Sequence, residues 1–163
     1  MDRRVFCTLG LLSIAACGSD RPTGIGCTDW LFSATISGSP DLIDRSGTAY
    51  VQDGHLLSII GSGSIGINRR AIEVKAAGVT GPGSFDVTVG INRASYGETG
   101  PSGQYWVANF EQGSGTLIVT EYSETRVVAS FSFTAYTDAT LTNPKTISGT
   151  CVCRVQSLAT STR

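Results

Sequence analysis

Residues Arg126–Ala135 read RVVASFSFTA. Side chains of an extended chain alternate between two faces, so Val127, Ala129, Phe131, Phe133 and Ala135 share one face and Val128, Ser130, Ser132 and Thr134 the other. The first set predicts core and the second predicts surface. Upstream, Gly115–Glu121 sets Leu117 and Val119 on one side against Thr116, Ile118 and Thr120. Downstream, Ile147, Gly149, Cys151, Cys153 and Val155 fall together, so both cysteines are expected to point inward.

The same texture extends back through the chain. From Trp30 onward, short apolar or alternating runs are interrupted by Gly, Pro, Asn and Asp roughly every ten residues. The runs are Trp30–Ile36, Ala49–Gln52, His55–Ile60, Ala71–Lys75, Ser84–Val89, Tyr105–Glu111, Gly115–Glu121, Arg126–Ala135 and Ile147–Val155. Asp53-Gly54 is a hairpin signal, because Gly accepts the positive φ of a primed turn, and Gly113-Ser114-Gly115 is another. The expected fold is all-β: an antiparallel β-sandwich or barrel of about nine short strands, with no long helix.

The amino-terminal stretch is different in kind. MDRRVFCTLGLLSIAAC places Arg3 and Arg4 before an apolar run from Val5 to Ala16, then small residues and a cysteine. That order is the signature of a secretory signal, and the run is shorter than the roughly 20 apolar residues a membrane span needs. Ile14-Ala15-Ala16-Cys17 resembles the lipobox of bacterial lipoproteins. The resemblance implies cleavage before Cys17 and attachment of a diacylglycerol to its sulfur. Arg3-Arg4-Val5-Phe6 resembles a twin-arginine export signal, although an arginine pair also suits the general route. The Gly-rich, polar segment after Cys17 reads as a tether. The expected organisation is therefore a signal peptide over 1–16, a tether over 17–26 and one β domain over 27–163. Gly18 is not the aspartate that retains many lipoproteins at an inner membrane, so a cell-envelope location at the outer membrane is expected where there are two membranes.

Composition narrows the function classes. With 12 basic and 13 acidic residues the net charge is −1, and no basic cluster goes beyond Arg69-Arg70, so nucleic acid is not an expected partner. Once Cys7 leaves with the leader and Cys17 carries lipid, Cys27, Cys151 and Cys153 remain. Cys27 can bridge to one of the other two in an oxidising compartment, and buried unpaired thiols are the alternative. A bond between Cys151 and Cys153 themselves is expected to be strained at so short a separation. No histidine lies near these cysteines and their spacing is not that of a zinc site.

The segments GSGTLIVTEY, VVASFSFTAY and NPKTISGTCVCRV together resemble an uncharacterised family of bacterial lipoproteins. The match covers about the last fifty residues and the earlier strands in outline. It implies a β domain carried on a lipid anchor and no catalytic residue. Cys151 and Cys153 depart from it, standing near positions that are often apolar.

Gly61-Ser62-Gly63-Ser64-Ile65-Gly66 matches G-x-G-x-x-G, with Asp86 beyond it, but a dinucleotide fingerprint needs a helix to follow. A Gly/Ser-rich connection between strands is expected instead. His55 is the single histidine and has no G-x-S-x-G elbow to serve, so a surface role is expected. Glu121 with Glu124, and Asp41 with Asp44, read as solvated charges. Tyr96, Tyr105 and Trp106 flank the longest Gly-rich loop and form a possible binding loop, with one of Tyr105 and Trp106 expected in the core. The reading is a non-enzymatic binding module without cofactor or metal, anchored to the membrane through its lipid and facing an envelope protein or glycan. A lipocalin-like carrier of a small apolar ligand is the alternative, because Ala129, Ala135 and Gly149 leave room for a cavity.

Overall fold

Alternating strands dominate the structure, a computed structural model that describes residues 30–53, 55–100, 103–137 and 141–157. The predicted leader, the tether, Cys17 and Cys27 lie outside those residues. Eleven strands and no helix occur among them: β1 (Leu31–Ile36), β2 (Ser39–Asp44), β3 (Thr48–Gln52), β4 (Leu56–Ile65), β5 (Asn68–Ala76), β6 (Gly83–Asp86), β7 (Arg93–Glu98), β8 (Gln104–Ala108), β9 (Ser114–Tyr122), β10 (Arg126–Ala135) and β11 (Lys145–Ser157).

They form one sheet in the order β6-β9-β10-β11-β3-β4-β5-β7-β8, with β1 paired to β11 and β2 to β1. All pairings are antiparallel except β11 with β3. The sheet curls into a half-barrel. Its β8 edge swings round to the end of β10, where Val107 and Tyr136 exchange backbone hydrogen bonds of 2.9 and 3.0 Å.

The curl gives the sheet a dry inner face. Val127, Ala129, Phe131, Phe133 and Ala135 of β10 are all buried there, with Leu117 and Val119 of β9 and Ile147, Cys151 and Cys153 of β11. The register read from Arg126–Ala135 therefore holds across three adjacent strands. The Phe131 ring lies 5.3 Å from Phe32 and 6.2 Å from Phe133, and Tyr96 stacks on Trp106 at 5.4 Å. Glycines make room for these rings. A Cβ on Gly61 would strike the Phe32 ring, and one on Gly149 would meet Phe131 Cζ at 2.6 Å. Backbone approach by aromatic rings is thus what fills the interior.

Several connections differ from expectation. Gly61–Ile65 is not a connection but the second half of β4, and the turn is confined to Gly66 and Ile67. Gly66 has φ 58°, as the first position of a two-residue hairpin turn requires. The β3–β4 hairpin forms as predicted, with Asp53 in the left-handed region at φ 52°. The Gly113-Ser114-Gly115 segment does not make a hairpin. β8 ends at Ala108, a tight Asn109–Gln112 turn follows, and β8 and β9 then lie one after the other along β10. Two strands went unpredicted. β2 (SPDLID) carries a proline and a single buried apolar residue, Leu42, and β7 (RASYGE) buries Ser95 and Tyr96 among polar neighbours.

Cys151 and Cys153 stand with Cα atoms 5.4 Å apart. Two residues apart on one strand, both side chains enter the core and their sulfurs are neighbours.

Candidate functional site

Small and polar residues converge on the outer face of β4, β5, β7 and β8. Cross-strand pairing lines up Ser62, Ala71, Gly97 and Tyr105 in one row, with Ser64 and Arg69 in the next. Thr99 extends that second row by donating its N–H to the Arg69 carbonyl at 2.8 Å and accepting the Arg69 N–H at 2.9 Å. Because Ala71 and Gly97 barely rise above the backbone, the face is hollowed into an open trough of about 670 Å³. Gly103 closes the Tyr105 side, and the backbone of Gln104, whose register partner is Glu98, continues that rim. The Tyr105 ring rests on Gly97, where a Cβ would lie 3.2 Å from Cδ2, and 52% of the residue stays exposed.

The three aromatics singled out in the sequence therefore part company. Tyr105 borders the trough from β8. Tyr96 and Trp106 are directly paired across β7 and β8, stacked and buried on the opposite face. Trp106 donates Nε1–H to the Asn143 carbonyl at 2.9 Å, and Lys145 Nζ sits 5.2 Å above its ring.

Beneath the trough, on the inner face, lies a polar cluster at one mouth of the half-barrel. Arg70 is buried and donates to the carbonyls of Pro40 at 2.5 Å and Asp41 at 3.0 Å. Glu98, its cross-strand neighbour, accepts from the Tyr96 hydroxyl and from Ser39 Oγ at 3.3 Å. Ser39 Oγ in turn accepts from Lys145 Nζ at 2.9 Å. Burial, followed by the hydrogen bond to and charge of Glu98, pushes the Tyr96 phenol up to about 12. These bonds fasten β2 over the mouth. Where β2 runs beside β4, Asp44 accepts the Ser62 N–H at 2.9 Å. Burial tends to raise the Asp44 carboxyl, but bonds from Ser46 and Ser62 outweigh it and hold Asp44 below its ordinary value.

The other candidates are scattered. His55 is exposed in the β3–β4 turn. Glu121 lies 3.5 Å from Arg126, Glu124 is exposed in the next turn, and Asp41 is exposed on β2. Asp86 accepts from Thr88, and no helix follows Gly66. Glu73 is the most heavily engaged carboxylate on the outer face, accepting from Ser58 at 3.0 Å and pairing with Lys75 at 3.1 Å and Arg93 at 3.2 Å. Among the described residues no group of three or more His, Cys, Asp or Glu is arranged to hold a metal.

The sequence assigned none of Ser62, Ser64, Arg69 and Thr99 to a binding site; Ser62 and Ser64 were expected in a connection and Arg69 in an isolated basic pair. Their common surface depends on the pairing of β7 between β5 and β8, and β7 carries no clean alternation. No protein-family model, curated protein or solved structure matches this chain. The family resemblance of the carboxyl-terminal strands accordingly rests on the sequence alone.

Proposed function

We propose that the chain is an exported lipoprotein, cleaved before Cys17 and held to a membrane by lipid on that sulfur, whose β domain is a non-enzymatic binding module working through its outer surface. We read the half-barrel as a small barrel completed by the β8–β10 bridge on one side and the β2–β4 contact on the other. One observation carries the choice of outer surface. The inner face is filled by Phe32, Tyr96, Trp106, Phe131 and Phe133, with the Phe32 ring in the space left by Gly61 and the Phe131 ring in that left by Gly149, whereas the outer face offers an open trough bordered by an exposed tyrosine. A carrier of a small apolar ligand would need that interior space.

Two measurements test the reading. Mass spectrometry of the protein recovered from cell membranes is expected to find diacylglycerol on Cys17, and Cys17→Ala is expected to leave the leader uncut. An unmodified Cys17 in the wild type would overturn the anchor. Titration with a fluorescent fatty acid is expected to give no saturable one-to-one binding; saturable binding weakened by Phe131→Ala would favour the carrier.

A further inference from the structure

We infer that the trough over Ala71 and Gly97 is a site for a short oligosaccharide bearing a carboxylate. The inference rests on the binding-module reading and names the ligand of that same surface. Its volume, about 670 Å³, lies within the range of small-ligand sites. The Tyr105 ring is held against Gly97, so one flat apolar face is offered to solvent with little rotamer freedom left to lose. A sugar ring presents a matching C–H face, and its equatorial hydroxyls need neutral donors and acceptors around that contact. Ser62, Ser64 and Thr99 supply them, all exposed.

Charge selects among sugars. Arg69 is the exposed cation of the trough and makes no ion pair among the described residues. Of the nearby carboxylates, Glu98 is bonded to Tyr96 and Ser39 on the inner face, and Asp44, at the β4 side of the trough, is taken up by Ser46 and by the N–H of Ser62. An exposed guanidinium without an ion pair suits a single planar carboxylate, which it can engage through two parallel N–H groups. A nucleic acid would call for a row of exposed cations; besides Arg69 the trough is lined only by Arg70, which is buried and bonded to the Pro40 and Asp41 carbonyls.

The test uses the full lipidated chain in detergent micelles, titrated calorimetrically with cellobiouronic acid and with cellobiose, its neutral counterpart. The acidic disaccharide is expected to bind about tenfold more tightly, as a charge-assisted bidentate contact implies. Arg69→Gln is expected to bring the two sugars within about threefold of each other. Tyr105→Ala is expected to weaken both by about tenfold, and Tyr105→Phe to restore them. Thermal unfolding of each variant checks that the domain is intact. An acid preference unchanged in Arg69→Gln, wild-type binding by Tyr105→Ala, or no binding of either sugar at millimolar concentration would overturn the inference. A photo-cross-linker at position 105 separates the two levels. Capture of an envelope protein there, without sugar binding, ends the oligosaccharide assignment and leaves the binding-module reading standing.

Discussion

Phe131 and Phe133 enter the core from β10 while Ser132 between them faces out, so the three residues probe a single register. Phe131→Ala and Phe133→Ala are each expected to destabilise the domain by about 3–5 kcal/mol, because the ring's transfer energy is lost and a cavity is left. Ser132→Ala is expected to stay within about 0.5 kcal/mol. Equilibrium denaturation of the three variants checks the order, and a costly Ser132 would mean a register displaced by one. Tyr96 is the residue whose burial has a spectroscopic signature. Its phenol is raised to about 12 in the fold, against about 10 in an unfolded chain. The unfolded state therefore releases the proton first. The associated stability is intact below pH 10 and is lost as pH rises through 12. Of the five tyrosines, one is expected to ionise only near pH 12 in an absorbance titration, and Tyr96→Phe should abolish that last step. A complete titration by pH 11 in the wild type would contradict the buried Glu98 contact.

Between elements, the junction of β2 with the β4–β5 hairpin is held by side chains and not by a ladder. β2 has ladder hydrogen bonds to β1 alone; on its other side the links are side-chain bonds, Arg70 to Pro40 and Asp41 and Asp44 to Ser62. An arginine serving backbone carbonyls can be removed without breaking a ladder, but the charge-assisted bonds to Pro40 and Asp41 that hold β2 are lost with it. Arg70→Met keeps much of the side-chain volume and is expected to destabilise the domain by about 1–3 kcal/mol. Amide exchange should report where. Protection is expected to fall in β2 first, while β10 and the part of β11 paired with it keep theirs. Uniform loss across all strands would mean that Arg70 acts on global stability and not on this junction.

For the molecule as a whole, charge is sparse, and the acid response should come from few groups. Burial works to raise Glu73, but hydrogen bonds from Lys75 and Ser58, the Lys75 charge and Arg93 prevail and hold it below the ordinary glutamate value, as bonds from Ser46 and Ser62 do for Asp44. A depressed carboxyl stabilises the fold above its unfolded pKa of about 4, and that contribution disappears as pH falls through the lower folded value. Urea midpoints are expected to be flat from pH 7 to 5 and to drop between pH 4 and 2. The double variant Asp44→Asn/Glu73→Gln should be less stable at pH 7 and decline less steeply; a decline parallel to wild type would place the acid-sensitive groups elsewhere. The sequence by itself determined the all-β class, the faces of β9, β10 and β11, and the β3–β4 turn, because period-two alternation and turn chemistry are local properties. Only the tertiary structure decided what non-local contacts control. Gly61–Ile65 is strand because Asn68–Ile72 pairs with it, and residue 61 is Gly because the Phe32 ring from β1 needs its bare backbone, a need written nowhere near residue 61. β2 and β7 are strands because neighbours pair with them, despite Pro40 in one and Ser95 in the other. Tyr105 is exposed and Trp106 buried because alternation allots adjacent residues to opposite faces, while which face is inward is set by the direction in which the whole sheet curls.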